Sequence, residues 1–294
     1  MENAIDTFTI YLHTKKNASA NTQASYKGDL KKLNSYLLEQ AIVKIEDTQE
    51  VHLKAYISSL QEKGLKAATI ARKITVIKTF YSYLYKQKII SDDISVSLKA
   101  PKFQTGIPEI MTVEETECFL EQLTGSQPKE IRDKAMMELI YATGIRVSEL
   151  VSLKLTDTNL NLGFVICKSD NRERLIPFGN QAKEALDRYL KKAREILLRN
   201  GQSDYLFLNC FGKPMSRQGF WKLVKYYGNK AGIEKVITPY TLRHSFTAHL
   251  VENGADIEVV NEMLGNAESK TSAILDINSS QKLKAVYTKY HPRH

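Results

Sequence analysis

Apolar residues recur every three or four positions through most of this chain, a spacing that predicts helices. Ile5, Phe8 and Leu12 share one face of a helix over Ala4–Thr14. Asn21-Thr22 offers a cap for a second helix, with Tyr26, Leu30, Leu33 and Leu37 on its buried side. A third covers Val51–Leu60, and a fourth covers Ala67–Tyr85 with Ile70, Ile74, Ile77 and Tyr81 as its stripe. A short piece near Asp92–Leu98 follows. The polar flank of the fourth helix carries Arg72, Lys73 and Lys78, with Lys66 just ahead of it. Such a basic helix suits a DNA backbone, and spacing alone equally allows a solvated face.

Ala100–Pro108, with two prolines and a glycine, interrupts the pattern as a linker. Beyond it, Thr112 and Glu115 form a capping box ahead of a helix over 113–124. A helix over 130–143 ends at Gly144, and Arg146 opens a short helix containing Glu149 and Leu150. The period then changes. Residues 163–178 read as two strands around a turn, with Lys168 at the end of the first. A helix over 180–198, a strand at Tyr205–Leu208 and a helix over Ser216–Lys230 come next. Thr238 then caps a helix whose first residue is Pro239, whose conformation is preset for that position. Leu242, Phe246 and Leu250 form its buried stripe, while Tyr240, Arg243 and His244 lie in the first turns, where the helix dipole favours an anion. The plain alternative is an amphipathic helix with a surface arginine. A last helix, Asp256–Leu264, stops at Gly265. The pair joined through Asn253-Gly254 also has the outline of a helix-turn-helix, but Ile257–Leu264 is too apolar for a helix exposed in a groove.

Composition sharpens this picture modestly. With 294 residues, 43% hydrophobic and 26% charged, the chain has the makeup of a globular protein long enough for two domains. There is no long apolar run for a membrane span and no apolar signal core at the N-terminus. Cys118, Cys167 and Cys210 are scattered, without metal-type spacing or a disulfide framework, and a reducing cytoplasm is expected. The net charge of +9 makes a polyanionic partner plausible. Residues 1–105 hold 16 Lys+Arg against 10 Asp+Glu, so the excess is densest in the N-terminal third.

Three segments converge on one likeness. A-T-G-I-R-V-S-E-L (142–150), C-K-S-D-N-R-E-R (167–174) and T-P-Y-T-L-R-H-S-F (238–246) resemble tyrosine recombinases, above all the Xer-type enzymes that resolve bacterial chromosome dimers and the related phage and transposon integrases. The resemblance spans nearly the whole chain, including the ending K-Y-H-P-R-H. It implies a mainly α protein: a helical, SAM-like core-binding domain that binds DNA over 1–99, a linker over 100–108, and a mixed α/β catalytic-type domain with a small β-hairpin over 109–294. It also implies double-stranded DNA as partner, no metal, no nucleotide cofactor, no membrane, and a C-terminal segment that docks on a neighbouring subunit. Here residues 281–290 keep Leu283, Val286 and Tyr287 at helical spacing for that contact with a second copy or a partner recombinase.

In that family a tyrosine attacks a phosphodiester, forming a 3′-phosphotyrosine and releasing a 5′-hydroxyl. Two arginines clamp the charge on the phosphate, and the resemblance assigns these roles to Arg146 and Arg243. It gives Lys168, on the hairpin, the proton for the leaving oxygen. Glu149 matches the orienting carboxylate, and His244 a supporting position. Three positions depart from the pattern. Tyr240 stands where the family has a histidine, Asn266 where it has histidine or tryptophan, and Leu275 where it has the nucleophilic tyrosine. Leucine has no nucleophilic atom, asparagine does not titrate, and a phenol is a poor proton acceptor at neutral pH. A DNA-binding protein that does not cleave is therefore expected. The alternatives are a recombinase that uses another tyrosine (Tyr240, Tyr287 or Tyr290) or one from a partner subunit, and a protein-interaction module that does not bind DNA.

Overall fold

Four helices account for the first part of the chain: α1 (Glu2–Thr14), α2 (Ala20–Glu39), α3 (Glu50–Glu62) and α4 (Ala67–Lys86). The stripes turn inward as their spacing requires. Ile5, Phe8, Leu12, Leu30, Leu33, Leu37, Ile70, Ile74 and Ile77 meet in one core around Phe80. In this computed structural model residues 1–102, 108–169, 172–265 and 277–293 are described, and the chain divides into two units, Met1–Gly106 and Ile107–His294. Asn266 and Leu275 lie outside the described residues.

Two expectations for the first unit need correction. The cap of α2 is Ser19, not Asn21-Thr22; its hydroxyl accepts from the Thr22 amide at 3.2 Å, so the helix starts earlier. Asp92–Leu98 forms turns rather than a helix. The Asp93 carboxylate takes the Ser95 amide at 3.0 Å, and this Asx turn competes with helical hydrogen bonding.

In the second unit α5 (Val113–Glu121) begins with the expected capping box. The Glu115 amide donates to the Thr112 hydroxyl at 3.1 Å, and the Thr112 amide to the Glu115 carboxylate at 2.8 Å. Helix α6 (Pro128–Thr143) begins two residues earlier than expected because Pro128 occupies its first turn. It is the axis of the unit, with every residue from Ile131 to Thr143 buried except Lys134. Its buried charges are paired: Arg132 with Asp133 at 2.6 Å, and Glu138 with Arg293 at 2.8 Å.

Helix α7 (Val147–Ser152) leads into a three-stranded antiparallel sheet in the order β1 (Thr158–Asn159), β2 (Phe164–Ser169), β3 (Arg172–Pro177). The hairpin is the expected one; the two-residue β1 is additional. Helix α8 (Asn180–Tyr189) passes through a π-helical turn at Leu190–Arg194 into α9 (Glu195–Leu198). Tyr205–Leu208 is not a strand. Leu206, Phe207 and Leu208 are fully buried, but side chains satisfy much of their backbone: the Tyr189 hydroxyl donates to the Leu206 carbonyl at 3.0 Å, and Arg194 to the Tyr205 carbonyl at 2.8 Å. Only isolated bridges, Lys154 to Tyr205 and Leu208 to Pro214, remain.

Helices α10 (Arg217–Lys230), α11 (Pro239–Glu252), α12 (Ile257–Leu264) and α13 (Ile277–Tyr290) complete the unit. Val259, Val260, Met263 and Leu264 are buried, which removes α12 as a groove-reading helix. Leu283 and Tyr287 of α13 also lie in the core of their own unit, with Val286 packed against it. The stripe expected to reach another subunit is thus engaged within the chain. Among the described residues no helix is long and apolar enough to cross a membrane.

Candidate active site

Gly144 ends α6 with φ +59°, turning the chain so that Arg146 precedes α7 and the Glu149 carboxylate reaches back to the Arg146 amide at 2.7 Å. The Arg146 guanidinium is exposed and lies 3.4 Å from the same carboxylate. Arg243, on α11, is 8% exposed. It donates to the Gly144 carbonyl and, at 3.0 Å, to the Leu264 carbonyl. The ends of α6 and α12 thereby hold the second arginine beside the first. Burial, and secondly the charge of Arg146, push the Arg243 guanidinium down to about 10, which leaves it charged at neutral pH. A bound anion would relieve both costs.

Sequence reasoning missed Arg174. It grips Glu149 with two hydrogen bonds of 2.8 Å each and donates to the Met263 carbonyl at 2.9 Å. The hairpin, α7 and α12 meet at this one guanidinium. Burial alone would raise the Glu149 carboxyl, but the hydrogen bonds and charge of Arg174, with the Arg146 amide, hold it below the usual carboxylate range. A signal was available: Arg174 is in phase with buried Ile176 and stands opposite buried Cys167, on the inner face of β3.

Lys168 stands on β2 opposite Glu173, and its ammonium rests on the Asp157 carboxylate at 2.7 Å. That hydrogen bond, together with the charge of Asp157, raises the Lys168 pKa. Asp157 is buried and also receives the Lys154 amide at 2.9 Å, so it is a fixed anchor.

The α11 start is capped as expected, although the reciprocal partner of Thr238 is Thr241 rather than a carboxylate, with both bonds at 3.1 Å. Tyr240 and Arg243, both in the first turns of α11, face different surroundings. Tyr240 is 61% exposed and meets Trp221 of α10 edge to face, with ring centroids 5.9 Å apart, whereas Arg243 points into the unit. His244 is half-buried. A histidine not singled out from the sequence, His249, is buried between the Tyr141 hydroxyl and the Met111 carbonyl, each at 2.8 Å. The carbonyl requires an N–H at Nε2, so Nδ1 accepts from Tyr141 when the ring is neutral. Tyr287 is fully enclosed, and burial raises its phenol well beyond the ordinary range.

The candidate DNA-binding cations of the first unit differ among themselves. Lys66 is exposed ahead of α4. Arg72 is exposed too, and donates to Asp29 at 2.6 Å. Lys78 is half-buried and donates to the Val96 carbonyl at 3.1 Å. Lys73 does not lie on the polar flank: it is 6% exposed, with its ammonium committed to Asp29. Its place three residues after Ile70 puts it on the inward side, and Asp29 of α2 compensates its charge. Among the described residues no cluster of His, Cys, Asp and Glu could hold a metal ion.

Residues 109–274 match the phage integrase family, and residues 5–88 match the phage integrase N-terminal SAM-like domain. The chain belongs to this family of tyrosine recombinases. Among its relatives, the tyrosine recombinase XerD of Staphylococcus haemolyticus (strain JCSC1435) is 38% identical over 294 residues, covering all of both chains. The tyrosine recombinase XerD of Oceanobacillus iheyensis is 40% identical over 296 residues, covering 100% of this chain and 99% of that protein. The fold is shared with the XerH site-specific recombinase bound to its difH substrate in a pre-cleavage complex, with TM-score 0.69, 23% identity, and 98% and 82% of the two chains covered. It is shared as well with a lambda integrase dimer bound to a COC′ core site, with TM-score 0.70, 18% identity, and 93% and 96% covered.

Proposed function

We propose that this chain binds double-stranded DNA through both units, in a site-specific recombination context, and does not form a 3′-phosphotyrosine. The observation that carries this reading is the contrast between the cations the structure brings together and the residue the sequence has at the family's nucleophile position. Arg146 and Arg243, with Glu149 and Arg174 behind them, form a rigid cationic seat, while the nucleophile position of the family holds Leu275. Two guanidiniums suit the non-bridging oxygens of a phosphodiester and stabilise it as a bound ligand. Chemistry needs more: a nucleophile, which Leu275 cannot supply, and proton transfer, for which Tyr240 and Asn266 replace the titrating side chains of the family. The N-terminal unit contributes backbone contacts through Lys66, Arg72 and Lys78 in this reading.

A nicked suicide substrate tests the proposal. Expected is retardation on a native gel that weakens steeply as salt rises, and no protein–DNA band on a denaturing gel. A covalent band overturns it. Leu275→Tyr alone is expected to restore little, because Tyr240 and Asn266 also differ. A second reading has one observation in its favour: the exposed Tyr240 ring lines the same groove as Arg146. A covalent band lost in Tyr240→Phe would establish that reading. Docking onto a second copy or a partner recombinase through Leu283 and Tyr287 of the 281–290 segment would require α13 to leave the core that now holds them.

The Asp157 anchor yields a further expectation. Asp157→Asn loosens the Lys168 ammonium, so DNA affinity should rise and the salt dependence should steepen by about one phosphate contact. Titration of DNA binding at several salt concentrations checks this; an unchanged slope would place Lys168 away from the DNA.

A further inference from the structure

We infer that Trp221 and Tyr240 form a stacking corner for an unpaired nucleobase beside the phosphate held at Arg146. The two rings stand on the first turns of α10 and α11, 40% and 61% exposed, with an interplanar angle of 65°. They line an open groove of about 640 Å³ together with Arg146, Arg217 and Lys222. Among the described residues three cations and no carboxylate line this groove, so the rings are not a cage for a cationic ligand, whose charge would be repelled. The volume is ample for a nucleotide. Large exposed aromatic faces within a basic concavity have the chemistry of single-stranded nucleic-acid recognition: cations track the backbone and a ring stacks on a base. The edge-to-face arrangement leaves a face of one ring and the edge of the other for a single planar guest. In intact duplex both faces of a base are already covered by its neighbours, so the corner accepts only a base swung out of the helix. The histidine typical of the family at position 240 would present a smaller surface, and here a phenol ring extends the platform.

This inference rests on the reading that Arg146 holds a DNA phosphate. The experiment compares an intact duplex with the same duplex carrying one unpaired adenine, in titrations followed by gel retardation and by the fluorescence of Trp221, the only tryptophan in the chain. The wild-type chain is expected to bind the interrupted duplex about tenfold more tightly, with quenching of Trp221 that the intact duplex does not produce. In Trp221→Ala and Tyr240→Ala the ratio of the two affinities should fall to about one, while Trp221→Phe retains a preference. Equal affinities in the wild type, or a preference that survives Trp221→Ala, overturn the stacking corner and leave the phosphate reading standing. If neither duplex is retarded at low salt, the phosphate reading itself fails.

Discussion

Glu149→Ala is expected to destabilise the Ile107–His294 unit by about 3–5 kcal/mol, the usual effect of removing one partner from a buried ion pair. Glu149 is 8% exposed and receives both Arg174 nitrogens and the Arg146 amide. Alanine leaves the largely buried Arg174 guanidinium with the Met263 carbonyl but no counter-charge. Denaturant unfolding followed by tryptophan fluorescence isolates the effect, because Trp221 reports only on this unit. The pH dependence has a definite sign. The folded carboxyl lies below its unfolded value, so its contribution is complete above the ordinary carboxylate pKa and is lost as pH falls through the lower folded value. The gap between wild type and Glu149→Gln should therefore be widest near neutral pH and shrink in acid. A gap that stays constant with pH would mean that the ion pair does not carry the stability.

Features legible in the sequence were those decided within a few residues. The caps at Thr112 and Thr238, the stops at Gly144 and Gly265 and the 164–177 hairpin depend on local hydrogen bonds and local backbone conformation, and each stands where the pattern put it. Arg174 was hidden because its meaning lies with Glu149, 25 residues away, and its charge masked a position on the inner face. Lys73 misled for the same reason. Helical phase placed it inward, but a lysine is assumed to be outside until a partner such as Asp29 is known. Tyr205–Leu208 looked like a strand because a continuous apolar run is ambiguous; several of its hydrogen bonds go to the Tyr189 and Arg194 side chains, which no short window connects to it. Trp221 and Tyr240 belong to helices α10 and α11, so their meeting could be seen only in three dimensions.

Gly144→Ala is expected to cost roughly 2–5 kcal/mol, since two penalties add. At φ +59° any side chain is strained, and the added carbon would lie 2.4 Å from Phe246 Cδ1 and 2.9 Å from Leu264 Cδ2, both on buried side chains. Neither can yield without disturbing α11 or α12. Gly265 makes the informative comparison. It has a similar φ of +67°, but its nearest neighbour is the Arg174 guanidinium at 3.0 Å, which has to give only a few tenths of an ångström against its bonds to Glu149 and Met263, so Gly265→Ala should cost backbone strain plus a smaller packing penalty. Unfolding of the two variants, followed again through Trp221, should rank Gly144→Ala as clearly the worse. The difference extends to the proposed function. The Gly144 carbonyl receives the Arg243 guanidinium, so a shifted Gly144 moves the second arginine of the phosphate seat. DNA affinity in Gly144→Ala should therefore fall at temperatures where the protein is still folded. If the two variants unfold alike, backbone strain rather than packing against Phe246 governs this turn, and Arg243 keeps its position.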